Sequence, residues 1–164
     1  MATFLFACPF LRGDTSAPFP DRIPSLLKIS SSHDMGSTAE VSLANGVVTY
    51  RLVTGGSHVV KEIAVRPTLE QWSAFIRQLN DAKVYQWEPV YKGPLLAMDG
   101  GFYWSVEIQF EERHFGSSGN TAYPPDGDLR NPGTKSGHAA FDLFNEAVSH
   151  LIGHDYPHSE SDLP

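Results

Sequence analysis

The chain carries seven histidines, one cysteine and nineteen acidic residues. Hydrolytic, metal or thiol chemistry would have to be built from these. His150, His154 and His158 recur four apart, the spacing that stacks imidazoles on one helix face. Gly153 separates the first two and Pro157 precedes the third, and both residues end helices. With no HExxH pattern nearby, the three read as solvated histidines near a helix end. Asp126, Asp128 and Asn131 supply oxygen donors around Gly127, but the alternating donors and closing Glu of a calcium loop are missing. Cys8 sits beside Pro9 in an apolar stretch, without the electropositive setting of a reactive thiol. No serine lies in a G-x-S-x-G elbow. Gly116-Ser117-Ser118-Gly119 leads into a loop, so no helix N-terminus is there to bind an anion. No metal site, cofactor or catalytic residue is expected from these patterns.

Two constellations remain. Asp99, Glu107, Arg113 and Tyr123 would serve a small hydrolase or transferase with its site between the second hairpin and the 116–137 loop. No carboxylate spacing demands that chemistry, and a solvated polar face explains Glu107, Glu111 and Glu112 equally well. The second constellation is a binding surface made of Trp87, Tyr91, Asp99, Arg113, Asn120 and Tyr123. Structure alone also accounts for its members. Gly119-Asn120 suits positive φ angles and Asx turns, and Tyr123-Pro124-Pro125 makes a stiff extended segment.

The elements that position these residues follow from patterning. Asn45-Gly46 is a two-residue type I′ turn between Thr38–Leu43 and Val47–Val53. The implied register sets Ala44 opposite Val47, Leu43 opposite Val48, Val41 opposite Tyr50 and Glu40 opposite Arg51. Apolar residues then share one face and polar residues the other. Gly55-Gly56 turns the chain into a third strand, His58–Val65, with Val59, Ile63 and Val65 on its apolar face. Thr68 and Gln71 form a capping box for a helix whose apolar face is Leu69, Trp72, Phe75, Ile76 and Leu79. Phe102–Phe110 alternates with Phe102, Trp104, Val106, Ile108 and Phe110 inward and Tyr103, Ser105, Glu107 and Gln109 outward. Glu111-Glu112 turns it back into Arg113–Ser117. A second helix, His138–Ile152, buries Phe141, Phe144, Val148, Leu151 and Ile152.

Between these elements, Ala2–Cys8 reads as a buried strand and residues 9–25 as a Pro-rich loop. Leu26–Ile29 is a short strand, Ser30–Ser37 a loop, and Val84–Tyr91 an irregular or strand segment. Residues 116–137 form a long loop and 154–164 a frayed polar tail. Strands followed by a helix, a hairpin and a helix predict an α+β domain over 1–153. Its architecture is a two-layer sandwich, an antiparallel sheet with two amphipathic helices on one face.

Composition narrows function. The 164 residues are 41% hydrophobic and 12% aromatic, enough for a core that removes about 70% of the unfolded surface from water. A net charge of −7 argues against nucleic acid and anionic membranes as partners. No apolar run approaches a membrane span. One reduced cysteine and no basic n-region before the apolar start point to the cytoplasm.

The segments WEPVY (87–91), MDGGFYWSVEI (98–108) and SSGNTAYPP (117–125), with the preceding hairpin and helix and the closing helix, carry a resemblance. Over Leu27–Gly153 the chain resembles a widespread group of small bacterial α+β proteins with the pattern W-x-x-x-Y, D-G-x-x-x-W and S-G-N-x-x-Y-P. The resemblance implies a bacterial source and the two-layer fold. The group has no established catalytic activity, so it assigns no functional residue. Met1–Ile23 and the extended loop Asp126–Gly137 fall outside the shared pattern. The expected function is a non-catalytic binding protein with a protein partner, immunity- or inhibitor-like by analogy of its acidic charge. The alternatives are the hydrolase or transferase above and a module that self-associates through strand edges.

Overall fold

The computed structural model describes residues 17–33, 36–55, 57–92, 101–124 and 139–157. Cys8 and the strand expected over Ala2–Cys8, together with Asp99, the Asp126–Asn131 cluster and His158, lie outside the described residues.

Among the described residues the strands are β1 (Leu26–His33), β2 (Thr38–Ala44), β3 (Val47–Thr54), β4 (His58–Val65), β5 (Val90–Lys92), β6 (Phe102–Phe110) and β7 (Arg113–Asn120). They form one sheet in the order β4-β3-β2-β1-β6-β7-β5. Two helices, α1 (Leu69–Asp81) and α2 (Ala139–Ile152), complete an α+β fold. The sheet is antiparallel except at β5, which runs parallel to β7. None of the described helices is long and apolar enough to cross a membrane.

The β2–β3 hairpin has the expected register at all four anticipated pairs. Asn45 and Gly46 both have positive φ, 52° and 72°, as a type I′ turn requires. Glu40 does face Arg51, but the Arg51 guanidinium turns to Glu62 on β4, with Nε 2.9 Å from Oε2. On β4 the register shifts between Leu52 and Val53, so that Leu52 pairs with Lys61 and Val53 with Val59. The extra residue, Val60, changes the alternation, and Val59 joins the face of Val53 rather than that of Ile63.

Two expected loops are strands. β1 continues through Ser30–His33 because it is paired on both sides, by β2 and by β6. Ladder hydrogen bonds outweigh the weak strand preference of serine, which is a packing preference more than a backbone one. β7 likewise runs through Gly116–Asn120, held by β6 and, at its end, by β5. The Val84–Tyr91 segment splits into a 3-10 turn at Val84–Gln86 and the start of β5.

Thr68 caps α1 as its sequence predicts. Its hydroxyl accepts from the Gln71 amide and the Gln71 side chain accepts from the Thr68 amide. Trp72, Phe75, Ile76 and Leu79 are buried, but Leu69, in the first turn, is 74% exposed. All five expected apolar residues of α2 are buried. Gly153 ends it with φ 66°, the left-handed conformation that favours glycine.

The expected frayed tail over 154–164 is packed against the core at 154–157, and the rest lies outside the described residues. Tyr156 is fully buried, and its hydroxyl lies 2.8 Å from Ser31 Oγ. The Tyr156 amide donates to Ser149 Oγ, and His154 packs edge-on against Tyr50. An aromatic ring worth a large buried area thus closes the core over β1 and β3.

Candidate functional site

Burial alternates along the central strands. On β6, Phe102, Trp104, Val106, Ile108 and Phe110 are buried, whereas Tyr103, Ser105 and Gln109 are exposed and Glu107 is half-buried. The buried set joins one core with α1 and α2 side chains. The other face carries short polar residues in cross-strand rows. One row reads Thr49, Ser42, Lys28, Glu107 and Gly116, and the next reads Arg51, Glu40, Ser30, Ser105 and Ser118.

These rows shape a groove of about 550 Å³ on the face away from the core. Small side chains make its floor, where Ser30 Oγ and Ser105 Oγ are hydrogen-bonded at 2.8 Å. Glu107 stands at one wall. His114 Nε2 donates to its Oε1 at 3.0 Å, and Lys28 Nζ approaches Oε2 at 3.9 Å. All three side chains are about half exposed, so solvent screens these pairs and they add little to stability. Glu40 stands at the opposite wall. It makes no ion pair or hydrogen bond among the described residues, since Arg51 is engaged by Glu62.

A carboxylate holding an imidazole is part of a general base. A nucleophile would complete it, and serine hydroxyls share the groove. Their hydrogen bonds lead elsewhere: Ser105 is bonded to Ser30, and Ser118 to the Pro89 carbonyl. Among the described residues no hydroxyl bonds to His114, whereas an activated serine would hold that hydrogen bond. No group of three His, Cys, Asp or Glu side chains among the described residues is arranged to hold a metal ion.

The residues chosen from sequence lie elsewhere. Trp87 is buried, its ring 5.7 Å from Trp104 and 5.4 Å from Phe144. Tyr91 packs 5.9 Å from Trp104, its hydroxyl accepts from the Glu88 amide, and burial raises its pKa. Tyr123 stacks on Phe102 and meets Phe141 at 5.0 Å. Arg113 lies over the Phe19 ring and donates to the Pro18 carbonyl. Asn120, at the other end of β7, accepts from the Thr121 hydroxyl. Arg113 and Asn120 are seven strand residues apart, roughly 23 Å. The five described members therefore do not meet on one surface. The proposed hydrolytic set is divided too, because Glu107 lines the groove while Tyr123 packs against core rings.

Alternation marks Glu107 as an outward residue, but the sequence alone does not bring His114, Lys28, Ser30, Ser42, Glu40 and Ser118 into one groove with it. The turn at Glu111-Glu112 held the signal for one of them. Pairing Phe110 with Arg113 sets Gln109 opposite His114 and leaves Glu107 on the diagonal. No protein-family model, curated protein or solved structure matches the chain.

Proposed function

We propose that this is a non-catalytic binding protein that holds a protein partner in the groove on the outward face of its sheet. In this reading the fold is a two-layer sandwich with both helices on the inner face, and the outer face is left free for the partner. The observation that carries it is the groove itself, a concave surface over four strands with hydroxyls on its floor and carboxylates at its walls. Concavity with a few convergent polar groups is the usual form of a recognition site. The net charge of −7 favours a basic partner and a fast, salt-sensitive association.

Ser105→Trp tests this. Residue 105 is exposed on a strand, where an aromatic side chain is favoured, and the indole would fill the groove floor. Affinity capture from a lysate of the source cell, with the native chain and the variant in parallel, should yield a stoichiometric protein that the variant loses at unchanged melting temperature. A partner retained by the folded variant, or no partner at all, would refute the reading.

A further inference from the structure

Gly116 lies in the interior of β7, exposed on the groove floor. Its φ is outside the left-handed region, and an added Cβ would meet only His114 Cε1, at 3.7 Å. Neither backbone conformation nor crowding calls for a glycine there. Gly119, three residues on, is the opposite case, because a Cβ would collide with the Ala122 carbonyl and the Trp104 indole. A glycine inside a strand costs roughly 0.5–1 kcal/mol relative to alanine. The β6–β7 register is regular at Gly116, so it marks no bulge, and close approach of a ligand or another backbone is a use that a strand glycine serves.

The wall opposite supplies the second element. Glu107 is engaged by His114 and Lys28, whereas Glu40 is left without an ion pair or hydrogen bond among the described residues. The groove therefore offers an open carboxylate at one end and an unobstructed backbone at the other. Between them lies the hydrogen-bonded pair of Ser30 and Ser105, whose lone pairs accept further donors.

We infer that the groove takes a polypeptide segment whose backbone lies on Gly116 and whose arginine or lysine side chain pairs with Glu40. This rests on the binding reading given above and adds the orientation and the chemistry of the ligand. Gly116 and Glu40 stand about 16 Å apart across three strand spacings, so the occupant crosses the strands over about five extended residues. The cation loses little solvation at so open a site, and the charge-assisted hydrogen bond supplies specificity more than raw affinity.

The test uses a displayed library of random peptides panned against the full chain, then the single peptides it enriches. The expected result is enrichment of peptides with arginine or lysine whose binding weakens about tenfold or more with Glu40→Gln. It is also lost with Gly116→Val and kept with Glu70→Gln on α1. Gly116→Ala, the smaller change, should give an intermediate loss, and melting temperatures identify any variant that fails to fold. Peptides that are lost with Gly116→Val but indifferent to Glu40→Gln would overturn the cationic anchor and leave the groove reading standing. If no enriched peptide responds to Gly116→Val in a folded variant, both are wrong. A concentration-dependent dimer abolished by Gly116→Val would make the occupant a second copy and overturn the peptide assignment.

Discussion

The two ends of the sheet are stabilised by different means. At the β6–β7 end, aromatic rings interlock: Trp104 lies 5.7 Å from Trp87, 5.9 Å from Tyr91 and 5.0 Å from Phe141. Its indole N–H also donates to the Ala122 carbonyl at 2.8 Å. At the β3–β4 end, the edge strand is exposed over His58–Glu62 and bulged at Val60. There the core is closed by a returning segment, in which Tyr156 packs near Tyr50 and is bonded to Ser31. The first end concentrates apolar area. The second puts Lys61, Glu62 and a bulge on the edge strand where another strand would otherwise add.

This difference predicts a gradient of mutational cost. Trp104→Ala should cost about 3–5 kcal/mol by opening a cavity and stranding a carbonyl. Denaturant titration checks it, and a loss under about 2 kcal/mol would remove the claim that the aromatic end dominates. Asn145 lies on α2 between the two ends. It is fully buried, and neither side-chain polar atom has a partner among the described residues. Asn145→Leu should therefore raise stability, by about 1–3 kcal/mol, the cost of a buried unpaired amide. A destabilised variant would show that the amide has a partner in solution, such as a buried water.

The third effect is smaller and depends on pH. Burial holds the Tyr156 phenol well above its ordinary value, and the Ser31 hydrogen bond only partly offsets this. The unfolded chain releases that proton near pH 10 while the folded chain keeps it. The stabilising contribution is complete below about pH 10 and falls as pH rises beyond it. Melting temperature measured from pH 8 to 11 should drop less steeply for Tyr156→Phe than for the native chain. At neutral pH the same variant should lose about 1–2 kcal/mol, because Ser31 keeps a buried hydroxyl without its partner. Parallel pH curves for the two proteins would mean that the phenol is not buried in solution. Smallest of all, Val60→Thr on the exposed edge should shift stability by no more than about 0.5 kcal/mol. A larger loss would show that the bulged edge carries core weight after all.

Legibility from sequence followed the range of the forces. The β2–β3 hairpin, the α1 cap and β6 are set by neighbours a few residues away, and their bounds could be read from turn chemistry and alternation. Ser30–His33 and Gly116–Asn120 look like loop by composition. They become strands because a strand remote in sequence completes the pairing that a neighbouring strand begins, β6 beside β1 and β5 beside the end of β7. The same limit hides the groove. Trp87, Tyr91 and Tyr123 were conspicuous because they are large, yet size is what a core recruits. The groove is built from serines and a glycine, which carry little signal until the register aligns them. Alternation turns Glu107, Ser105 and Glu40 outward, but only the strand order brings them together.

The sheet order has a consequence for how the chain is made. β1 pairs with β2 over a short loop, but also with β6, where Lys28 meets Glu107. Residues 26–65 emerge from the ribosome as a four-stranded meander that hairpins alone can assemble, with Leu27 and Ile29 on a strand whose second edge is still bare. That edge waits for Phe102–Phe110 to be synthesised and to close a loop of nearly eighty residues, the slow and entropically costly step. During that interval β1 offers an unpaired apolar edge, the kind of surface on which a nascent chain mispairs. Its serines, which disguise the strand in the sequence, keep half of that edge polar until the right partner arrives.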